Sequence, residues 1–162
     1  MKLNEITIKG GPLFQATDAE VDAMEKQLGI IFPREYREYV TTLGEGILGG
    51  DYIRIYPPWR IANELDAWHK RIEEYWFWDD RSSALTKNKV LESIIIGDTL
   101  NGDEIILHPD QPDHIFVLPR NSEIIYYSGN GLFETIDWLC SSGMLTEPFE
   151  EREFEPFNSR LA

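Results

Sequence analysis

Between Ser93 and Tyr127 the chain carries four apolar runs, "SIIIG", "DEIILH", "HIFVL" and "EIIYY". Each is rich in β-branched or aromatic residues and too short for a stable helix, so each reads as a strand. Asn101-Gly102 stands between the first two. That pair signals a two-residue hairpin, because a type I′ turn needs positive φ at both central positions. "PRNS" separates the last two runs. Strands joined by such short turns must pair antiparallel, since a parallel pair needs a long crossover. "YIRIY", Tyr52 to Tyr56, alternates and adds a further strand.

Helices flank this meander. Thr17-Asp-Ala-Glu20 is a capping box that opens a helix over Asp18 to Leu28, with Gly29 as its stop. Ile30, Ile31 and Phe32 follow, and as an apolar triplet between helices they are expected to be buried. Pro33 suits the first position of a second helix, where its missing N–H is harmless and its φ is already set. Tyr36, Tyr39, Val40 and Leu43 then form one face, and Gly44 ends the helix. After Pro57-Pro58 a longer helix carries Ile61, Leu65, Trp68, Ile72 and Tyr75/Trp76 on one stripe. In the last helix, "LFETIDWLCSSG", Leu132, Phe133, Ile136, Leu139 and Cys140 face inward, with Asn130 as the expected N-cap. Residues 144–162 show few turn or periodicity cues and read as an acidic C-terminal tail. The expected architecture is a single α+β domain over residues 1–162, with helices around an antiparallel or mixed sheet of four to six strands.

Charge narrows the function classes. The net charge is −14 and unevenly placed. Residues 1–90 hold 15 acidic against 12 basic residues, and 152–162 are balanced at two against two. Residues 91–151 hold 12 acidic residues against the single basic Arg120. Such a field repels nucleic acid and anionic membrane and attracts basic partners, although it also serves solubility. One cysteine allows no internal disulfide, "MKLNEITIKGG" has no apolar signal region, and no run nears the length of a membrane span. The expectation is a soluble cytoplasmic protein.

Three stretches together resemble the SUKH superfamily: "LGIIFPREYREYVTTLGEG" (28–46), "NGDEIILHP" (101–109) and "YYSGNGLFETIDWL" (127–139). The likeness covers about residues 18–143. It departs where the family often has Asn-Gly after the tyrosine helix, because here the chain reads Leu43-Gly44-Glu45-Gly46. The superfamily includes yeast cell-wall-synthesis regulators and bacterial immunity proteins. The resemblance implies a non-enzymatic binding domain without cofactor, most directly one that neutralises a cognate toxin domain, often a nuclease. A regulatory scaffold is the alternative, and an undetected hydrolase the third reading.

The candidate partner-binding residues are the meander acids Asp98, Asp103, Glu104, Asp110 and Asp113, with Trp78, Asp79 and Asp80 of "YWFWDD". Four consecutive aromatics cannot all face one side of a helix, so that stretch divides between core packing and partner contact. The catalytic readings are weaker. "SGNG" followed by a helix looks like a phosphate loop but has Glu134 where G-x-G-x-x-G needs glycine. Cys140 on an apolar face reads as a small buried hydrophobe. His108 and His114 bracket "PDQPD", which is either an ordinary turn or a metal site of unrecognised spacing. Paired carboxylates near the Asn101-Gly102 turn could serve a glycosidase, but the sequence gives no separation.

Overall fold

The computed structural model describes residues 1–74 and 84–161. The capping box forms as expected. The Thr17 hydroxyl accepts the Glu20 N–H and the Glu20 carboxylate accepts the Thr17 N–H, each at 3.1 Å, opening α1 (Asp18–Leu28). Gly29 closes it in the left-handed region. α2 (Arg34–Thr42) starts one residue later than expected, with Pro33 at the N-cap position. Ile30 and Phe32 are buried, but Ile31 is 75% exposed, a correction to the expected burial of the whole triplet. The connector is not helical, so its successive side chains point to different sides. Tyr36 and Tyr39 are fully buried. The Tyr36 hydroxyl donates to the Tyr56 carbonyl at 2.6 Å, and its ring stacks on Phe32.

The strands are β1 (Thr7–Ile8), β2 (Gly46–Leu48), β3 (Ile53–Ile55), β4 (Ile94–Thr99), β5 (Glu104–Leu107), β6 (His114–Leu118), β7 (Tyr126–Asn130) and β8 (Glu153–Pro156). Among the described residues they form one sheet, ordered β1-β8-β2-β3-β4-β5-β6-β7. β1 pairs with β8 in parallel and the remaining pairs are antiparallel. The fold is α+β, as expected, but the sheet is wider than four to six strands. β7 begins at Tyr126, not Glu123, and runs through Asn130.

The largest difference lies in residues 144–161, nearly all of the expected tail. They are no loose tail: β8 inserts between β1 and β2, and Phe154 is fully buried with its ring edge-on to Tyr39. A single apolar residue between Glu153 and Glu155 leaves too little periodicity to read as a strand.

Glu45, where the chain departs from the family's usual pair, now has a structural role. It is buried, its Oε1 accepts the Ser159 N–H at 2.8 Å and the Trp59 indole N–H at 3.3 Å, and its carbonyl accepts the Phe157 N–H. Gly44, at φ 81°, has no room for a side chain: a Cβ there would stand 2.1 Å from the Phe14 carbonyl oxygen. The turn therefore ties the segment after β8 to the end of α2.

α3 (Pro58–Glu74) lies against β4 and α5 (Leu132–Ser141) against β7, with the short α4 (Lys87–Leu91) beside α3. Ile61, Trp68 and Ile72 of α3 are buried, as the stripe requires, and Leu65 is partly so. Tyr75 and Trp76 lie outside the described residues. Nearly every residue of β5 and β6 is buried on either pleat phase, so the middle of the sheet is covered on both faces. At α5 the expected Asn130 cap is corrected. Gly131 occupies the N-cap position, and the acceptor comes from α2, where Glu35 Oε1 takes the Phe133 N–H at 2.8 Å. Asn130 belongs to β7, and its N–H donates to Glu134 instead.

Candidate functional site

One row of side chains crosses the centre of the sheet. Arg54 of β3 pairs with Asp98 of β4, Asp98 with Glu104 of β5, and Glu104 with Leu118 of β6. Directly opposite residues share a face of the sheet, so the row is continuous. Arg54 grips Asp98 in a two-pronged contact, Nε to Oδ1 at 2.7 Å and Nη2 to Oδ2 at 2.6 Å. The hydrogen bond to Asp98 pushes the Arg54 pKa further up. The Tyr56 hydroxyl also donates to Asp98 Oδ2, at 2.7 Å. Burial, reinforced by Asp98, holds that phenol well above its ordinary range.

α3 supplies the opposite wall. Arg60, Glu64, Trp68 and Arg71 recur at helical spacing and face the row. Arg60 bonds Glu64 at 2.9 Å and sits over the Tyr56 ring at 4.8 Å. Arg71 bonds Glu104, whose carboxyl burial pushes up while Arg71 opposes. The buried Trp68 indole N–H is directed at Glu104 and joins Arg71 in holding that carboxyl down, although it falls short of full hydrogen-bond geometry. Together the walls enclose a cleft of about 650 Å³, with Arg120 on the hairpin side.

The structure divides the sequence-derived candidates. Asp98 and Glu104 meet in the cleft wall, each bonded to an arginine. Asp103 is buried at the hairpin turn, where its Oδ2 accepts the Thr99 hydroxyl at 2.7 Å and its Oδ1 accepts the Arg120 N–H at 3.0 Å. Asp110 and Asp113 lie at the far end of β5 and β6, in the turn between them. The Asp110 side chain is 74% exposed, with Lys89 Nζ at 3.5 Å. Asp113 is exposed and, among the described residues, no cation pairs with it. Trp78, Asp79 and Asp80 lie outside the described residues. The arginines of the cleft were missed in the sequence. The alternation of "YIRIY" turns Arg54 to the face opposite Ile53 and Ile55, and the 60-64-68-71 spacing was the signal for the helix wall.

The other chemical candidates have ordinary partners. His108 Nδ1 accepts the Asp110 N–H at 3.1 Å, which leaves Nε2 to face Glu92 at 2.7 Å. The His114 ring meets Tyr127 edge-on. Among the described residues, no group of three His, Cys, Asp or Glu side chains is placed to hold a metal. Cys140 is fully buried, and burial pushes its thiol up to about 11.

Helices on a mixed, mainly antiparallel sheet, entered through the capped α1, Gly29 and the Pro33-started tyrosine helix, define an α+β domain of SUKH type. The family follows directly: residues 15–140 match the SMI1 / KNR4 family (SUKH-1), and the chain belongs to it. The match starts just before α1 and ends within α5, so β1 and β8 lie outside it. No curated protein matches the chain. Among the described residues no helix is long and apolar enough to cross a membrane.

Proposed function

We propose that the chain is a non-enzymatic protein-binding domain that neutralises a cognate bacterial toxin by direct contact. The family includes immunity proteins, and the observation that carries the reading is the charge of residues 91–151, 12 acidic residues against one basic. A nuclease presents Lys and Arg to phosphate, and a carboxylate-rich surface is complementary to it and speeds encounter. The cleft acids Asp98 and Glu104 are engaged with arginines and Asp103 holds a turn, so they shape the domain from within. Contact falls to the exposed acids: Asp110, Asp113, Glu147, Glu150 and Glu151, with Trp78, Asp79 and Asp80 as further candidates.

The test is co-expression with the product of the neighbouring gene, scored by growth rescue and by a co-purifying complex. Replacing Asp110 and Asp113 with Asn should slow association severalfold at low salt, with the difference vanishing at high salt. Rescue with a charge-insensitive complex would remove the electrostatic part of the reading. A complex with a non-toxic partner would favour the regulatory scaffold instead.

A further inference from the structure

We propose that the cleft beneath α3 binds a carboxylate of a polypeptide, an acidic side chain or a free C-terminus, through Arg120 and Arg71. This is independent of the toxin reading, which concerns the outer acidic surface.

The first argument is charge. In a chain of net −14, four of the nine arginines line this one cleft. Three have carboxylate partners within it: Arg54 with Asp98, Arg60 with Glu64 and Arg71 with Glu104. Arg120 has none among the described residues. Its backbone is pinned by Asp103, and its side chain lies over Gly102, at the turn leading into Glu104. A guanidinium with no carboxylate partner among the described residues thus lines the same cleft as Arg71, whose side chain is 45% exposed and has donors left over.

The second argument is size and lining. A cleft of about 650 Å³ falls within the range of ligand sites. Trp68, Ile95 and Leu118, each almost fully buried, form its apolar floor. The three carboxylates on its walls oppose a phosphate dianion at close range. A planar monoanion matches the guanidinium fork and meets less of that repulsion, because it carries half the charge.

The third is the Trp68 N–H, which is directed at Glu104 without completing a hydrogen bond. When a ligand carboxylate draws Arg71 away from Glu104, the indole N–H is the donor at hand to take up the Glu104 oxygen. Ligand binding is therefore reported by the Trp68 indole resonance.

The experiment titrates the ¹⁵N-labelled chain with three probes and follows that resonance, assigned with Trp68→Phe. One probe is a blocked peptide with a single Glu, the second a peptide with no acidic side chain but a free C-terminus, the third inorganic phosphate. A saturable shift with either peptide is expected, and the peptide that produces it identifies the source of the carboxylate. Arg120→Ala should weaken binding at least about tenfold and Arg120→Lys less, because Lys keeps the charge and loses the fork. Arg34→Ala, at a 90% exposed side chain on α2, should leave binding unchanged. Thermal unfolding of each variant confirms that it folds. No shift with either peptide, wild-type binding by Arg120→Ala, or tighter binding of phosphate than of both peptides would overturn the proposal.

Discussion

Glu35, in the first turn of α2, accepts the Phe133 N–H at the start of α5 at 2.8 Å, across 98 residues of sequence. The first N–H groups of a helix have no intrahelical acceptor, and a carboxylate there also meets the positive end of the helix dipole. Gly131 permits the approach, since a Cβ on it would lie 2.7 Å from Glu35 Oε1. The "FPREY" and "SGNGLF" stretches are therefore two halves of one junction. Glu35→Ala should destabilise the domain by about 0.5–2 kcal/mol, and Glu35→Gln by less because it keeps an acceptor. Urea unfolding of the three proteins checks this, and equal midpoints would show that the cap contributes nothing.

Phe154 is the core residue of β8. Removing a fully buried aromatic ring leaves a cavity, so Phe154→Ala should cost about 3–5 kcal/mol. Denaturant unfolding reads this directly. A loss under about 0.5 kcal/mol, the level of an ordinary surface change, would mean that the segment is peripheral to the fold.

Glu104 predicts a pH signature. Burial raises its carboxyl in the folded state, against about 4.3 unfolded. The folded chain then holds the proton more tightly than the unfolded chain. Stability from this group is greatest below the unfolded value and falls as pH rises to the folded one. Glu104→Gln cannot titrate. The stability of the variant relative to the wild type should rise across that window and level off above it. Urea melts from about pH 4 to about pH 8 test this, and a pH-independent difference would show that Glu104 titrates as it does unfolded.

Cys140 should be inert in the native state. With its thiol pushed up to about 11 and its side chain buried, little thiolate is present and none is accessible. A chromogenic disulfide at pH 8 should modify it at least about a hundredfold faster in denaturant than in buffer. Comparable rates would place the thiol at the surface.

The parts of the fold written in local sequence were legible. Thr17 and Glu20 cap α1 as the box implies, and Gly29 stops it. Asn101-Gly102 does mark the turn from β4 to β5, but the two-residue loop is corrected: Thr99 pairs with Asp103, the loop is Leu100 to Gly102, and only Gly102 has positive φ. Residues whose role depends on a distant partner were not. Asn130 had the chemistry of a cap but lost the place to Glu35, which no local pattern connects to α5. Ile31 had the composition of core, yet its direction was set by a connector with no period to read. β8 is a strand because β1 and β2 leave a gap for it, and Phe154 alone could not announce that. For the site, Asp98, Asp103 and Glu104 were conspicuous as charges on a meander, but alternation had already turned Asp98 and Glu104 toward Arg54 and Arg71. The stripe of Arg60, Glu64, Trp68 and Arg71 was visible and was read only for its apolar members.

The place of β8 between β1 and β2 also sets an order of events during synthesis. β1 and β2 are synthesised well before their shared neighbour, with β3 to β7 and all the α-helices after α2 lying between. Until residue 156 is free of the exit tunnel, β2 has β3 beside it and β1, among the described residues, has no strand to pair with. From the synthesis of β2 until that of β8 the nascent chain therefore carries an open β-edge, the state most prone to pair with a neighbour. Slowing or stalling of the ribosome just short of β8 should be the point at which this chain most needs a chaperone.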